Sequence, residues 1–330
     1  MTGENSDLSI TAVRGIPEVA HGDDLAALIA EHLDRPLRAY DVVVVTSKVV
    51  SKALGLVTRA ERESLVDEAT ERVVARRGTT RIVRTKHGLT MAAAGIDASN
   101  VEIGSAITLP ADPDGAAAAL RTSLLERFPD AASGLGVVVT DTAGRPWRIG
   151  QTDLAIGCAG LLPLRSYEGQ YDAYGNELRV TAPAIADEVA AAADLVTGKV
   201  TGLPVAVVRG LGAAYFCGDN GPGATALVRD DGGDLFGLGA NEAVRQAVGT
   251  SPGRPRGFAD LDDDVVGIAL GPVDSEVLSI EVSDESITVA AAPGADRSEC
   301  LVAYGALLER FRVLDRAYGT SHSALLRRDV

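Results

Sequence analysis

Three short runs of β-branched apolar residues, Asp41–Thr46, Gly136–Thr140 and Pro204–Val208, constrain this chain more than any other feature. Each run is continuous rather than alternating, so each is predicted to be a strand covered on both faces. With 36 Gly, 46 % apolar residues and only 4 % aromatics, the surroundings are expected to be a small-residue α/β or α+β interior rather than a β-sandwich. Disorder and collagen are excluded. The runs end in Ser47-Lys48, Asp141-Thr142 and Arg209-Gly210. That pattern predicts strand ends opening onto one site, although apolar strands ending in polar loops are also ordinary architecture.

The remaining elements follow from caps and periodicity. Asp23-Asp24 predict a capped helix over 25–33, and Pro113-Asp114 open an Ala-rich helix that runs to Phe128. Leu65, Val66, Ala69, Val73 and Val74 stand at helical spacing and predict a helix across 61–77; another is predicted from Ala184 to Val196. At 330 residues the chain is long enough for two compact units. The segment Gly249-Thr-Ser-Pro-Gly-Arg-Pro-Arg-Gly257 reads as a linker, dividing a domain over 1–249 from a small C-terminal α+β appendage over 258–330. In the appendage, 277–282 and 286–290 predict a hairpin, and 298–317 a helix.

Charge and cysteines narrow the partners. Against 31 basic residues stand 46 acidic ones, a net charge of −15 that argues against nucleic acid and anionic membranes as partners. Cys158, Cys217 and Cys300 are odd in number and far apart, which suits neither a disulfide framework nor a zinc site and fits a reducing cytoplasm. The N-terminus is polar, and no run approaches the roughly 20 apolar residues of a bilayer span. A soluble cytoplasmic protein is expected.

Several residues have chemistry to offer. In Thr46-Ser-Lys-Val-Val-Ser-Lys52 a strand turning into a helix would put Lys48 and Lys52 on one face, with the Ser47 hydroxyl and nearby amides cradling an anion. The other reading is a solvated surface pair, and there is no P-loop sequence. Asp141-Thr142 and Asp97 supply the hard oxygens that magnesium or manganese prefers, yet an isolated Asp also serves as a turn or cap residue. Arg145 and Arg148 flank Trp147, suited to a charged small molecule or to plain solvation. His87 reads as a hydrogen-bonding loop residue and Cys158 as a small buried hydrophobe.

Seven blocks then occur in order: Gly15-Ile-Pro-Glu18, Val43–Lys52, Ala93–Asn100, Thr140–Thr152, Tyr174–Leu178, Ala186–Val189 and Pro204–Gly210. Over about residues 8 to 248 the chain resembles the coenzyme F420-0:L-glutamate ligase (F420-0:gamma-glutamyl ligase) family. The resemblance implies an α+β fold, with mainly antiparallel sheets in a two-lobed subunit and an intertwined homodimer. It implies GTP-dependent addition of L-glutamate to coenzyme F420-0, and of a second, gamma-linked glutamate to F420-1, through an acyl phosphate. By the same resemblance Ile16, Pro17, Glu18, Val19, Ser47, Lys52 and Asn100 hold the nucleotide. Asp97, Asp141 and Thr142 correspond to positions for one or two Mg2+ or Mn2+ ions, with K+ a further candidate, and Lys52 and Asp141 to catalytic positions. The alternatives are a non-catalytic GTP-binding regulatory protein and a ligase for a related carboxylate acceptor. Residues 258–330 are too short for the flavin-binding domain of some longer relatives, so flavin is not expected.

Overall fold

The computed structural model describes residues 7–77, 79–99, 101–229, 234, 236–239, 270, 273–283, 286–318 and 322–329. By compactness the chain divides into two units, Met1–Arg72 with Thr80–Val228 and Val73–Thr79 with Arg229–Val330. The expected linker over 249–257 lies outside the described residues.

In chain order the elements up to the middle of the chain are β1 (Ser9–Ala12), α1 (Leu25–His32), β2 (Val42–Thr46), α2 (Ser47–Ala53), β3 (Val57–Thr58), α3 (Arg62–Ala69), β4 (Thr70–Arg77), β5 (Thr80–Thr85), β6 (Thr90–Ala92), β7 (Ala106–Ile107) and α4 (Pro113–Arg127). After them come β8 (Gly136–Gly144), β9 (Gln151–Ala159), β10 (Gln170–Tyr171), β11 (Glu177–Leu178), α5 (Ile185–Thr197) and β12 (Val205–Arg209). The three apolar runs are neighbours in a five-stranded sheet of order β1-β12-β2-β8-β9. Only β2 and β8 are parallel within it; the other pairs are antiparallel.

Both faces of this sheet are covered, which is why its central strands need no polar alternation. Val43, Val45, Val137, Val139 and Val207 pack with Leu25 and Ile29 of α1 and Leu120 and Leu124 of α4. Val42, Val44, Val138, Ala206 and Val208 face the other way, onto Ile185, Val189, Ala190 and Ala193 of α5. Each fully buried valine contributes about 1.5–3 kcal/mol, so these two layers fix the sheet. The helices start where their caps are written. Asp24 accepts from the Ala27 amide at 2.9 Å and Asp112 from the Gly115 amide at 2.8 Å. The start of α4 lies so close to β9 that a Cβ on Gly157 would come within 2.2 Å of the Pro113 carbonyl oxygen.

Two expectations are corrected. The predicted helix over 61–77 ends at Ala69 and continues as β4. Thr70 takes extended angles and returns its hydroxyl to the Val66 carbonyl, closing the helix, and β-branched Val73 and Val74 suit the strand beyond. The three polar strand ends do not open onto one site either. Because β12 runs antiparallel to β2, Arg209 sits at the start of β2, where it pairs with buried Asp41 at 3.1 Å. Leu203 and Pro204, at the head of β12, take its place beside Thr46 and Thr140.

In the second unit β13 (Leu278–Val282) and β14 (Ile287–Ala291) form the expected antiparallel hairpin. The long helix α6 (Arg297–Tyr318) follows, and β15 (Leu326–Asp329) adds in parallel to β14. Its core is its own: Leu278, Ile287, Val289, Cys300, Leu307, Phe311 and Leu326. Among the described residues the chain is a mixed α+β protein of six α-helices with mainly antiparallel sheets. No helix of the described residues is long and apolar enough to cross a membrane.

Candidate active site

The site forms where β2 ends and turns at once into α2. A single turn of helix brings Lys48 and Lys52 to one side, i and i+4 apart, as the sequence predicts. They are not a solvated surface pair. Their side chains are only 15 % and 11 % exposed, and each ammonium is engaged by a carboxylate, Asp97 for Lys48 and Glu18 for Lys52. Lys48 also donates to Ser99 Oγ at 2.9 Å. Ser99 in turn gives its amide (2.8 Å) and hydroxyl (2.6 Å) to Asp97. Burial pushes the Asp97 carboxyl up, but Lys48 and the two Ser99 donors outweigh it and hold it at about 2.

Opposite the lysines, the β8–β9 hairpin supplies oxygen. Asp141 and Thr142 lie within β8 rather than at its end, and Thr142 stands directly across from Asp153 on β9. Thr142 Oγ1 donates to Asp153 Oδ1 at 2.7 Å, and Thr140 Oγ1 to Asp153 Oδ2 at 2.9 Å. Successive strand residues point to opposite faces, so Asp141 projects away from the two threonines. It meets Ser47, whose buried hydroxyl lies 3.5 Å from Asp141 Oδ1. Burial first, and the charge of Asp153 further, push the Asp141 carboxyl up to about 6 against the Thr142 amide, Lys48 and Lys199.

These elements border one cavity of about 330 Å³. Its walls are the loop Ile16-Pro17-Glu18-Val19, the α2 lysines, Thr140, Thr142 and Asp153 from the hairpin, and Asp194 with the loop 198–204 after α5. Lys199 in that loop donates to Thr142 Oγ1 at 2.9 Å, so three lysines converge here. Gly198 allows the turn, with φ 61° and ψ 175°, a conformation essentially closed to other residues. Burial and Asp153 raise the Asp194 carboxyl, while Lys199 lowers it.

Of the residues singled out from sequence, Ile16, Pro17, Glu18, Val19, Lys48, Lys52 and Thr142 line the cavity. Ser47, Asp97 and Asp141 stand behind its wall, linked to it through Lys48 and the hairpin. Asn100 lies outside the described residues. Arg145, Trp147 and Arg148 do not line it; they occupy the tip of the β8–β9 hairpin, where Trp147 is 87 % exposed. Cys158 is buried as expected, and burial above all pushes its thiol up to about 12, far from a reactive thiolate. Sequence reasoning missed Asp153, Asp194 and Lys199. The Gly198-Lys-Val-Thr-Gly202 stretch carried a signal, a lysine between glycines whose amides can approach an anion.

The donor set suits a hard divalent cation. Thr142 Oγ1 on the cavity side and the Asp141 carboxyl on the other face of β8 each offer hard oxygen, and a carboxyl held at about 6 by burial and a neighbouring acid is relieved by positive charge. Among the described residues no three Asp, Glu, His or Cys side chains converge on one point. An ion such as Mg2+ would therefore complete its shell with water and phosphate oxygens, its usual habit.

A mixed α+β fold here gathers three lysines with Glu18, Asp153 and Asp194 around one cavity, and the similarity of the chain to known proteins makes it an enzyme of the ligase class. The chain belongs to the F420-0:gamma-glutamyl ligase family, whose model matches residues 15–72 and 57–210. It is 37 % identical over 242 residues to the coenzyme F420:L-glutamate ligase of Methanothermobacter thermautotrophicus, covering 65 % of this chain and 93 % of that one. The protein of the same name from Archaeoglobus fulgidus is 39 % identical over 228 residues, 63 % of this chain and 89 % of the relative. That of Haloarcula marismortui is 38 % identical over 269 residues, 73 % and 97 %.

Proposed function

We propose that the chain is a GTP-dependent ligase that joins L-glutamate to coenzyme F420-0, and a second glutamate in gamma linkage to F420-1. The observation that carries this reading is the convergence of Lys48, Lys52 and Lys199 on one cavity beside Thr142 and Asp153. A triphosphate brought against a carboxylate needs its negative charge offset, and ammonium groups in a cleft sheltered from water do this strongly. In the first step a carboxylate oxygen of the acceptor bonds to the γ-phosphorus, and the bond to the β-γ bridging oxygen breaks to release GDP. In the second the glutamate amine bonds to the acyl carbon, phosphate leaves and the amine gives up a proton. Thr142 on the cavity side, and Asp141 and Asp97 away from it, would hold divalent ions, which would supply charge neutralisation on the phosphates.

The chain's own groups account for the rest. Lys52, drawn forward by Glu18 of the Ile16–Val19 loop, is set to bind phosphate, and release of that carboxylate on nucleotide entry frees its ammonium. Ser47 and Asn100 belong to the same nucleotide site in this reading. Assembly as a homodimer completes it, and exposed Tyr171, Tyr174 and Val180 around β10–β11 are apolar surface for such an assembly to cover. Free thiols at all three cysteines are compatible with work in a reducing cytoplasm.

The test is one mass-spectrometric assay with GTP and ATP in parallel, Mg2+ or Mn2+, glutamate, F420-0 and related carboxylate acceptors. The expected outcome is GDP release with a gain of one or two glutamate masses on F420-0. Thermal stabilisation by GTP without GDP formation from any acceptor would make the protein a non-catalytic GTP binder; product only with another acceptor would reassign the substrate.

A further inference from the structure

Asp153 accepts two threonine protons at once, 2.7 Å from Thr142 Oγ1 and 2.9 Å from Thr140 Oγ1, one on each carboxylate oxygen. A threonine hydroxyl has one proton and two acceptor lone pairs. In Thr142 the proton is committed to Asp153, and one lone pair receives Lys199 Nζ at 2.9 Å. One lone pair is left, on a residue that lines the cavity. Remove the carboxylate and the hydroxyl is free to turn, so that its proton can face the cavity and repel a cation or bind a phosphate oxygen instead.

We propose that Asp153 is a positioning residue that holds the Thr142 hydroxyl as a pure acceptor toward the cavity, ready for a hard divalent cation and barred from donating. The inference rests on the metal–nucleotide reading of the site. Second contacts of this kind commonly set metal affinity, because they fix the orientation of the group that touches the ion. Asp153 itself lines the cavity together with Thr142 and Asp194, so its carboxylate stands beside the hydroxyl it would orient. The opposing explanation is that Asp153 only stitches the β8–β9 hairpin, as cross-strand pairs do.

Asp153→Asn separates the two. Its shape is kept, but an amide can accept from only one of the threonines and must present hydrogens to the other. Mn2+ binding to the metal-free chain, followed by the electron paramagnetic resonance of free Mn2+ without nucleotide or acceptor, is expected to weaken about 10–100-fold. The melting temperature of the metal-free chain stays near wild type, kcat falls, and KM for the acceptor is unchanged. A folded Asp153→Asn chain that binds Mn2+ as tightly as wild type overturns the proposal, as does a wild type that binds no Mn2+. Should the variant fail to fold, Thr142→Ser and Thr142→Val carry the test: the serine is expected to keep Mn2+ affinity and the valine to lose it, and equal affinity in both overturns it. A wild type that forms product while Asp153→Asn leaves Mn2+ binding unchanged sinks this inference alone. A wild type that binds Mn2+ but never forms product sinks the ligase reading, and the Mn2+ comparison still decides the role of Asp153.

Discussion

Asp141 shows how a single carboxyl can be costly to the fold and useful to the site. Its folded pKa of about 6 lies above the ordinary 3.8, chiefly through burial and then through the charge of Asp153. A carboxyl with a raised pKa favours the folded state fully below the unfolded value, and that contribution is lost as pH rises through the folded value, here from about 4 to about 6. At pH 8 the metal-free chain is therefore expected to carry a penalty of about 1–3 kcal/mol at this residue. Asp141→Asn, neutral throughout, should raise the denaturant midpoint of the metal-free chain at pH 8, with the gain vanishing only below the unfolded value, at about pH 3, while abolishing turnover. A midpoint difference independent of pH would contradict the burial account. At this scale the sequence was readable where spacing is local: Lys48 and Lys52 are one helical turn apart, so their convergence follows from α2 alone. Asp153 was not, because its partnership with Thr142 depends on the hairpin register. A bulge between Val139 and Thr140 shifts that register, and no periodicity announces it.

Elements place these side chains, and the connection between α5 and β12 is the most exacting of them. Gly198 ends α5 with φ 61° and ψ 175°, and the next residue, Lys199, reaches Thr142. Any Cβ at 198 is strained by its backbone conformation and meets Thr201 Cγ2 at 3.3 Å. Gly198→Ala is expected to cost about 1–3 kcal/mol in denaturant unfolding and to weaken GTP binding through misplacement of Lys199. Titration of GTP against the variant and wild type checks this, and unaltered affinity alongside reduced stability would detach the loop from the nucleotide. The starts of α1 and α4 were legible from Asp24 and Pro113, although the residue that caps α4 is Asp112, one position before the Pro113-Asp114 pair that marks it in the sequence. The segment 61–77 was misread because its apolar spacing fits a helix throughout, while Thr70 gives its hydroxyl back to Val66 and turns the chain extended. Local pattern is overridden there by the strand that β-branched residues then build.

At the scale of the whole molecule, two separate cores imply two separate stabilities. The layers around the five-stranded sheet and the cluster around Phe311, Leu307 and Val289 share no residue. Every described wall of the cavity comes from the first unit, and the family match ends at residue 210, within it. A ligand that binds only the folded form raises stability by mass action, about 2.7 kcal/mol at a hundredfold excess over Kd. Bound nucleotide with Mn2+ is therefore expected to raise one calorimetric transition and leave a second, smaller one in place. The smaller transition belongs to the unit holding β13, β14, α6 and β15, and it should respond to Phe311→Ala, which empties a fully buried position and typically costs 3–5 kcal/mol. The same substitution should leave the ligand-sensitive transition where it was. A single transition moved equally by nucleotide and by Phe311→Ala would show one cooperative body. The independence of the two cores would then fail, and with it the case for treating the C-terminal unit as an appendage to the ligase.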